Sequence, residues 1–398
     1  MPDAPTILVL ALDSPDPGAF KAGLFFNTIR QHVEIGLDVY VASLEPMRDT
    51  DAAALRDLGV RPVLQQDIPR AAKPITRAVR RLMGVDNESP KDWLLHPAAR
   101  LHLAESIRPR AILGLQSYQT GIVAADLSGF LGTPYASWEH LSGYQLGTPF
   151  RHSPAKMKTF LNGAHAVAGV SKSVLEAIRA RYEITLPHGM VLPNPIPAGF
   201  DASPATAAPS WLDGLDGAVC FGAWTSWRNA NKRLDLLLDA FDKTHAVLPH
   251  TVLILAGPVA DPALEQRASA QPGVRYVGPI SREHIHHLAH RVDCCCISSD
   301  YETFGLPMVE ALAAGRPVIS TRCGGPDDVL DDPRLGRLCP TGDVNAMSEA
   351  MLAFCAGRED FDSMQIASIA RDRFGEVAQA ARWKALYSDM LEHSEDVR

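Results

Sequence analysis

The stretch SSDYETFGLPMVEALAAGRPVIS, from Ser298 to Ser320, holds two glutamates, Glu302 and Glu310, with seven residues between them and Phe-Gly-Leu-Pro inside the gap. An ionised carboxylate accepts hydrogen bonds at both oxygens and so fits the vicinal diol of a ribose or a pyranose. Pro307 suits the first position of a helix, where its missing N–H is not needed, and Gly315 suits the stop. The amides of Gly305, Leu306 and Met308 then fall at the positive pole of that helix, where a phosphate can be held. A single glutamate at a helix start is ordinarily a cap or a dipole partner. Two acids around a phosphate cradle suit a nucleotide-sugar instead, one acid for the ribose and one for the sugar.

Such a cradle needs a strand before it and a strand after it. CCCISS reads as a buried strand, since free cysteine behaves as a small apolar residue, and RPVIST reads as the next. The same alternation runs along the whole chain. TILVLAL, DVYVASL, RAILGLQ, PYASWEH, AVAGVS and MVLPN are strand candidates in the first half, with helical stretches such as LFFNTIRQHVEIG between them, the last closed by Gly36. The segment PNPIPAGFDASPATAAPSWLDGLDG, residues 193 to 217, is rich in Pro, Ala, Ser and Gly without periodicity and reads as an interdomain connection. After it the rhythm restarts with AVCFGAW, TVLILAG, VRYVG, DCCCISS and RPVIST. The expected architecture is α/β, with two Rossmann-like domains presenting a ligand cleft at the carboxyl ends of their parallel sheets.

The chain has 398 residues, 46% of them apolar, which suits two domains of ordinary size. A formal charge of −8 argues against a nucleic-acid binder, because such proteins need a net basic footprint. The seven cysteines have neither disulfide-framework nor zinc-site spacing, so they are expected to be reduced, in a cytoplasmic protein. The first apolar run, Ile7 to Leu12, is too short for a signal or membrane helix.

The glutamate pair with Phe-Gly-Leu-Pro inside it, followed by GRPVISTRCGGPDDVL, resembles the signature of the retaining GT-B glycosyltransferases of family four, the group 1 glycosyl transferases. NKRLDLLLDAF, VLPNPI, VRYVGPIS and the closing RDRFGEVAQAARWKALYSDML resemble further blocks of that family. The resemblance implies an N-terminal acceptor-side domain over 1–195, a donor domain over 196–376 and a C-terminal helix over 377–398 packing back on the first domain. It implies that Glu310 binds the ribose hydroxyls and Glu302 the donor sugar. Lys232 falls on the family's diphosphate-binding lysine. The amides near Phe304, Gly305 and Leu306 would hold the distal phosphate, and Ile280 lies where backbone contacts the base. His140 matches a histidine at the sugar site, and Gly18 begins the family's glycine-rich first loop. The implied activity is metal-independent, cofactor-free, retaining transfer of a sugar from a UDP- or GDP-sugar to a glycan or lipid-linked acceptor.

Two departures stand out. The family writes Gly-Arg before its lysine, whereas this chain has FGAWTSWRNANKR, with Ala223 and Trp224 at that point and Arg228 four residues before Lys232. Arg228 is the residue available to supply the guanidinium. The first loop, SPDPGAFKAG, has one glycine where two adjacent ones are common. The altered Gly-Arg site leaves open a catalytically inactive, nucleotide-sugar-binding partner subunit, and a related GT-B enzyme such as an epimerase shares the architecture.

Outside those blocks, His140 reads either as a satisfied polar residue at a strand end or as a sugar-site group. Lys232 and Arg233, without the resemblance, read as solvated helix residues. The histidines of REHIHHLAHR have no companion carboxylate motif and are not expected to bind metal, on a helix expected to be exposed. The one Asp-x-Asp, Asp360 to Asp362, lies far downstream in a helical tail, away from any nucleotide-binding strand. RAAKPITRAVRRLMG, with Arg70, Lys73, Arg77, Arg80 and Arg81 on one side, reads either as a solvated helix face or as an interfacial helix over 70–83. The second reading would place the protein peripherally at the inner face of a membrane.

Overall fold

The computed structural model describes residues 4–13, 20–68, 90–197, 199–200 and 202–396. Gly18 and the basic segment 70–83 lie outside the described residues. Two compact units emerge: the first from residues 1–170, 174–192 and 380–398, the second from 171–173 and 193–379.

The first unit holds seven strands: β1 (Thr6–Ala11), β2 (Asp38–Ser43), β3 (Arg61–Pro62), β4 (Ala111–Gln116), β5 (Tyr135–Glu139), β6 (Ala166–Gly169) and β7 (Gly189–Val191). Their order is β3-β2-β1-β4-β5-β6-β7, and every pairing is parallel. The sequence reads this way because strands covered on both faces become continuous apolar runs; Ile7, Leu8, Val9 and Leu10 are all fully buried. The C-terminal helix Glu376–Asp396 joins this unit from residue 380. Its Trp383 ring meets those of His32 and Trp138 edge-on, at centroid distances of 4.6 and 5.3 Å. Burial holds His32 neutral, its pKa lowered to about 3, and its Nε2 lies 3.3 Å from the Tyr387 hydroxyl.

The second unit holds six: β8 (Val219–Trp224), β9 (Thr251–Ala256), β10 (Val274–Gly278), β11 (Cys294–Ile297), β12 (Val318–Thr321) and β13 (Gly336–Cys339). Their order is β10-β9-β8-β11-β12-β13, again all parallel. Cys294, Cys295 and Cys296 are buried strand residues, as expected, and all seven cysteines are free. Phe221, Leu237, Phe241, Leu253, Met347 and Phe354 share one apolar core. Each such side chain contributes roughly 1.5–3 kcal/mol on burial, which makes the sheet a rigid mount for its loops.

In both sheets the chain turns from one side to the other at a single place, between β1 and β4 and between β8 and β11. Such switch points open a crevice beyond the carboxyl ends of the strands. The Pro- and Ala-rich segment after residue 193 is strapped to the second unit. Ile196 N–H donates to the Phe374 carbonyl, Thr206 pairs with His287, and Arg275 donates to the carbonyls of Trp211 and Asp213. His287 is accordingly buried, so the helix Arg282–Arg291 is less exposed than its histidine-rich sequence suggests.

Candidate active site

Glu302, Glu310 and Lys232 all lie in loops or helix starts at the carboxyl ends of β8 and β11. Glu310 sits in the second turn of the helix Leu306–Ala313 and is fully buried. One oxygen, Oε2, accepts a 2.7 Å hydrogen bond from Nε1 of Trp224, the last residue of β8. The other, Oε1, is buried with no hydrogen-bond partner. Burial pushes the Glu310 carboxyl up to about 7, against the opposing pull of the Trp224 N–H and the Arg282 charge. A core acid with one orphaned oxygen is a cost to the fold, and such costs concentrate where a ligand completes the bonding.

Glu302 lies in the loop between β11 and that helix. Its Oε1 accepts from Lys232 Nζ at 2.5 Å and from the Ser299 hydroxyl at 2.8 Å. Lys232 and Glu302 side chains are 19% and 12% exposed, so solvent screens this pair only partly. Lys232 ends a 3-10 turn, Ala230–Lys232, whose carbonyl accepts from Ser298 Oγ. Arg233 adopts a left-handed conformation, φ 51°, before the helix Leu234–Val247 and pairs with both Asp235 and Asp300. That clamp ties the lysine turn to the Glu302 loop.

The helix begins at Leu306, so Pro307 is its second residue rather than its first. Gly305 precedes it with φ 92°, a conformation costly for any residue with a Cβ. The amides of Gly305 and Leu306 have no hydrogen-bond partner among the described residues, as a phosphate cradle requires. Met308 departs from the expected set: its N–H already donates to the Gly305 carbonyl at 2.9 Å. Phe304 is buried edge-on against Phe374 and anchors the loop. Gly324 and Gly325 lock the loop from the other side, through a Glu302–Gly324 bridge and a Gly325 N–H to Glu302 carbonyl bond. A Cβ on Gly325 would lie 2.4 Å from the Phe304 Cα.

Ile280 is half-buried, after β10 and just before the Ser281 cap of the next helix. Arg228 is exposed and makes no hydrogen bond or ion pair among the described residues. His140 belongs to the first unit, directly after β5, with its ring edge-on to Trp138 and Phe25 at 4.2 and 5.2 Å. Beside it Glu139 is fully buried and accepts from Ser137 and Tyr144, and burial raises its carboxyl to about 7.

Sequence reasoning missed Trp224, Ser299 and Glu139. The signal available for Trp224 was its place at the end of the first strand of the second domain, where any long donor reaches the switch point. Among the described residues no group of three or more His, Cys, Asp or Glu is placed to hold a metal, and no helix is long and apolar enough to cross a membrane.

Two doubly wound parallel sheets, the second bearing a buried carboxylate and a helix start with two unpartnered amides at its switch point, place the chain among α/β proteins of Rossmann-like architecture. Residues 217–356 match the family described as glycosyl transferases group 1. The chain has the GT-B fold, and the family match lies within its second unit. The chain is 31% identical over 115 residues to glycogen synthase of Mycobacterium tuberculosis, a stretch covering 27% of each chain. It is 31% identical over 149 residues to D-inositol 3-phosphate glycosyltransferase of Corynebacterium kroppenstedtii, 36% of this chain and 32% of that one. The matched stretches thus span about a quarter to a third of these relatives. Anabaena HepE, solved in complex with UDP-glucose, superposes with a TM-score of 0.68 at 17% identity over 96% of this chain and 99% of that one, a likeness of fold.

Proposed function

We propose that the protein is a retaining glycosyltransferase that moves a sugar from a nucleoside diphosphate donor to a glycan or lipid-linked acceptor. The observation that carries this reading is the orphaned Oε1 of Glu310, a buried acceptor waiting for a hydroxyl beside two unpartnered amides at a helix start. The family match over 217–356 and the UDP-glucose complex of HepE support the same donor class.

In this mechanism Glu310 receives a ribose hydroxyl at Oε1. The Gly305 and Leu306 amides hold the distal phosphate, and Ile280 contributes backbone to the base. Negative charge grows on the diphosphate as the glycosidic bond breaks. Lys232, released in part from Glu302 by the stronger anion, stabilises the leaving group together with Arg228. Glu302 then turns to the donor sugar's hydroxyls, and His140 is the first unit's candidate for a sugar-site group. No metal takes part in this scheme, and the acceptor attacks from the leaving-group side.

Incubation with UDP-glucose, UDP-N-acetylglucosamine and GDP-mannose in EDTA, followed by NMR of the product's anomeric proton, tests the proposal. A product with the donor's configuration is expected. An inverted product, or turnover only with added divalent metal, contradicts it.

A further inference from the structure

The first unit contains a cavity that no part of the donor scheme uses. It has a volume of about 430 Å³ and lies at the carboxyl ends of β2 and β3, formed by Ser43, Glu45, Pro46, Met47, Asp49, residues 63–66 and Trp93. That size falls within the range of about 300–1,000 Å³ that small-molecule sites occupy. Beyond β1, on the side away from β4, it is set off from the switch point of its sheet.

Its lining is chemically specific. The Trp93 indole N–H donates to the Ser43 carbonyl at 3.1 Å, which fixes the ring and spends its only donor. What Trp93 offers the cavity is therefore apolar π surface. Around it stand the side-chain amides of Gln65 and Gln66 on an exposed 3-10 turn, and the carboxylates of Glu45 and Asp49. Ser43, Pro46, Met47, Val63 and Leu64 complete the lining, and among the described residues none that forms it is Lys, Arg or His. An aromatic face beside amides and carboxylates matches a pyranose, whose C–H face packs on an indole while its hydroxyls donate and accept. The two acids, Glu45 and Asp49, disfavour a phosphate, sulfate or uronate.

We infer that this cavity is a subsite for an uncharged sugar ring of the acceptor, resting on the glycosyltransferase reading and narrowing its acceptor to one with a neutral saccharide at that position. Trp93 supplies the stacking platform, and Gln65, Gln66 and Asp49 read the hydroxyls. An acceptor whose recognised end is a phosphorylated headgroup does not fit here.

The test uses the full chain labelled with 5-fluorotryptophan, whose six tryptophans give separate fluorine signals, with Trp93 assigned through Trp93→Phe and Trp224 through Trp224→Phe. Methyl glycosides of glucose, galactose, mannose and N-acetylglucosamine are titrated at millimolar concentrations, beside glucose 6-phosphate. At least one neutral glycoside is expected to move the Trp93 signal saturably, and the phosphorylated sugar to move it several-fold less. The double variant Asp49→Asn, Gln66→Ala, altered only at exposed positions, is expected to weaken the response several-fold. A Trp93 signal that ignores every neutral glycoside, answers the phosphorylated sugar equally, or responds unchanged in the double variant overturns the inference. UDP is titrated in the same sample: the Trp224 signal reports the donor site, so failure of the sugar subsite is distinguishable from failure of the glycosyltransferase reading.

Discussion

Glu310→Gln isolates the energetic consequence of burying an acid for a ligand's sake. Glutamine keeps an oxygen to accept from Trp224 but cannot ionise. In the native protein the Glu310 carboxyl titrates at about 7, above its ordinary value of 4.5. Between those values the unfolded chain has released its proton and the folded chain has kept it, so the unfolded state binds fewer protons and stability falls as pH rises. Below pH 4.5 both states are protonated and nothing is lost; above about 7 the loss is complete and flat. Each pK unit is worth 1.36 kcal/mol. Between pH 5 and 8 this one group therefore costs about 2–3 kcal/mol, a large share of an ordinary folding free energy. Glu139 follows the same sign but is present in both proteins and cancels. Urea denaturation of the two proteins at pH 5 and pH 8 measures the effect as a double difference, which also removes the fixed cost of the new amide's orphaned N–H groups. The variant is expected to lose about 2–3 kcal/mol less than wild type over that interval. Equal losses would refute the claim that Glu310 is buried as an acid at a cost to the fold.

Trp224→Phe removes the donor that favours ionised Glu310, so nucleotide affinity should weaken by about 1–3 kcal/mol and its pH dependence should move to higher pH, read by calorimetry at several pH values. Lys232→Ala should lower turnover by about 100-fold or more and weaken UDP binding while leaving uridine binding unchanged; equal loss for both ligands would place the lysine elsewhere. Arg228 is exposed and unpartnered among the described residues, so Arg228→Ala should shift stability by less than about 0.5 kcal/mol while reducing kcat. An unchanged kcat would remove it from the leaving-group machinery. Gly325→Ala, which drives a Cβ to 2.4 Å from the Phe304 Cα, should cost about 1–3 kcal/mol in thermal or chemical denaturation and abolish donor binding together with the loop geometry.

The parallel sheets were legible because their strands are buried on both faces, so that Thr6–Ala11 and Cys294–Ile297 stand out as short, mostly apolar runs. The strands missed were those without that signature: Arg61–Pro62 pairs through two residues at a sheet edge, and Gly336–Cys339 carries an exposed arginine at the opposite kind of edge. The start of the helix Leu306–Ala313 was placed to within a residue, since Pro307 and Gly305 act locally, whereas the helix Phe20–Glu34 begins four residues before the stretch LFFNTIRQHVEIG. The Glu302–Lys232 contact was not legible, because it joins residues 70 apart and depends on how two loops meet beyond β8 and β11. The Trp224–Glu310 bond is 86 residues long in sequence for the same reason. Local rules choose the elements, while the side-chain pairs of a site belong to the sheet order, which brings β8 beside β11.

The central claim is that the second unit carries a nucleotide-sugar donor site completed at Glu310. Calorimetric titration of UDP, GDP and ADP into wild type and Glu310→Ala tests it most directly. Micromolar binding of one nucleotide, lost in the variant, is expected. Binding retained by the variant, or no binding of any of the three by wild type, would contradict it.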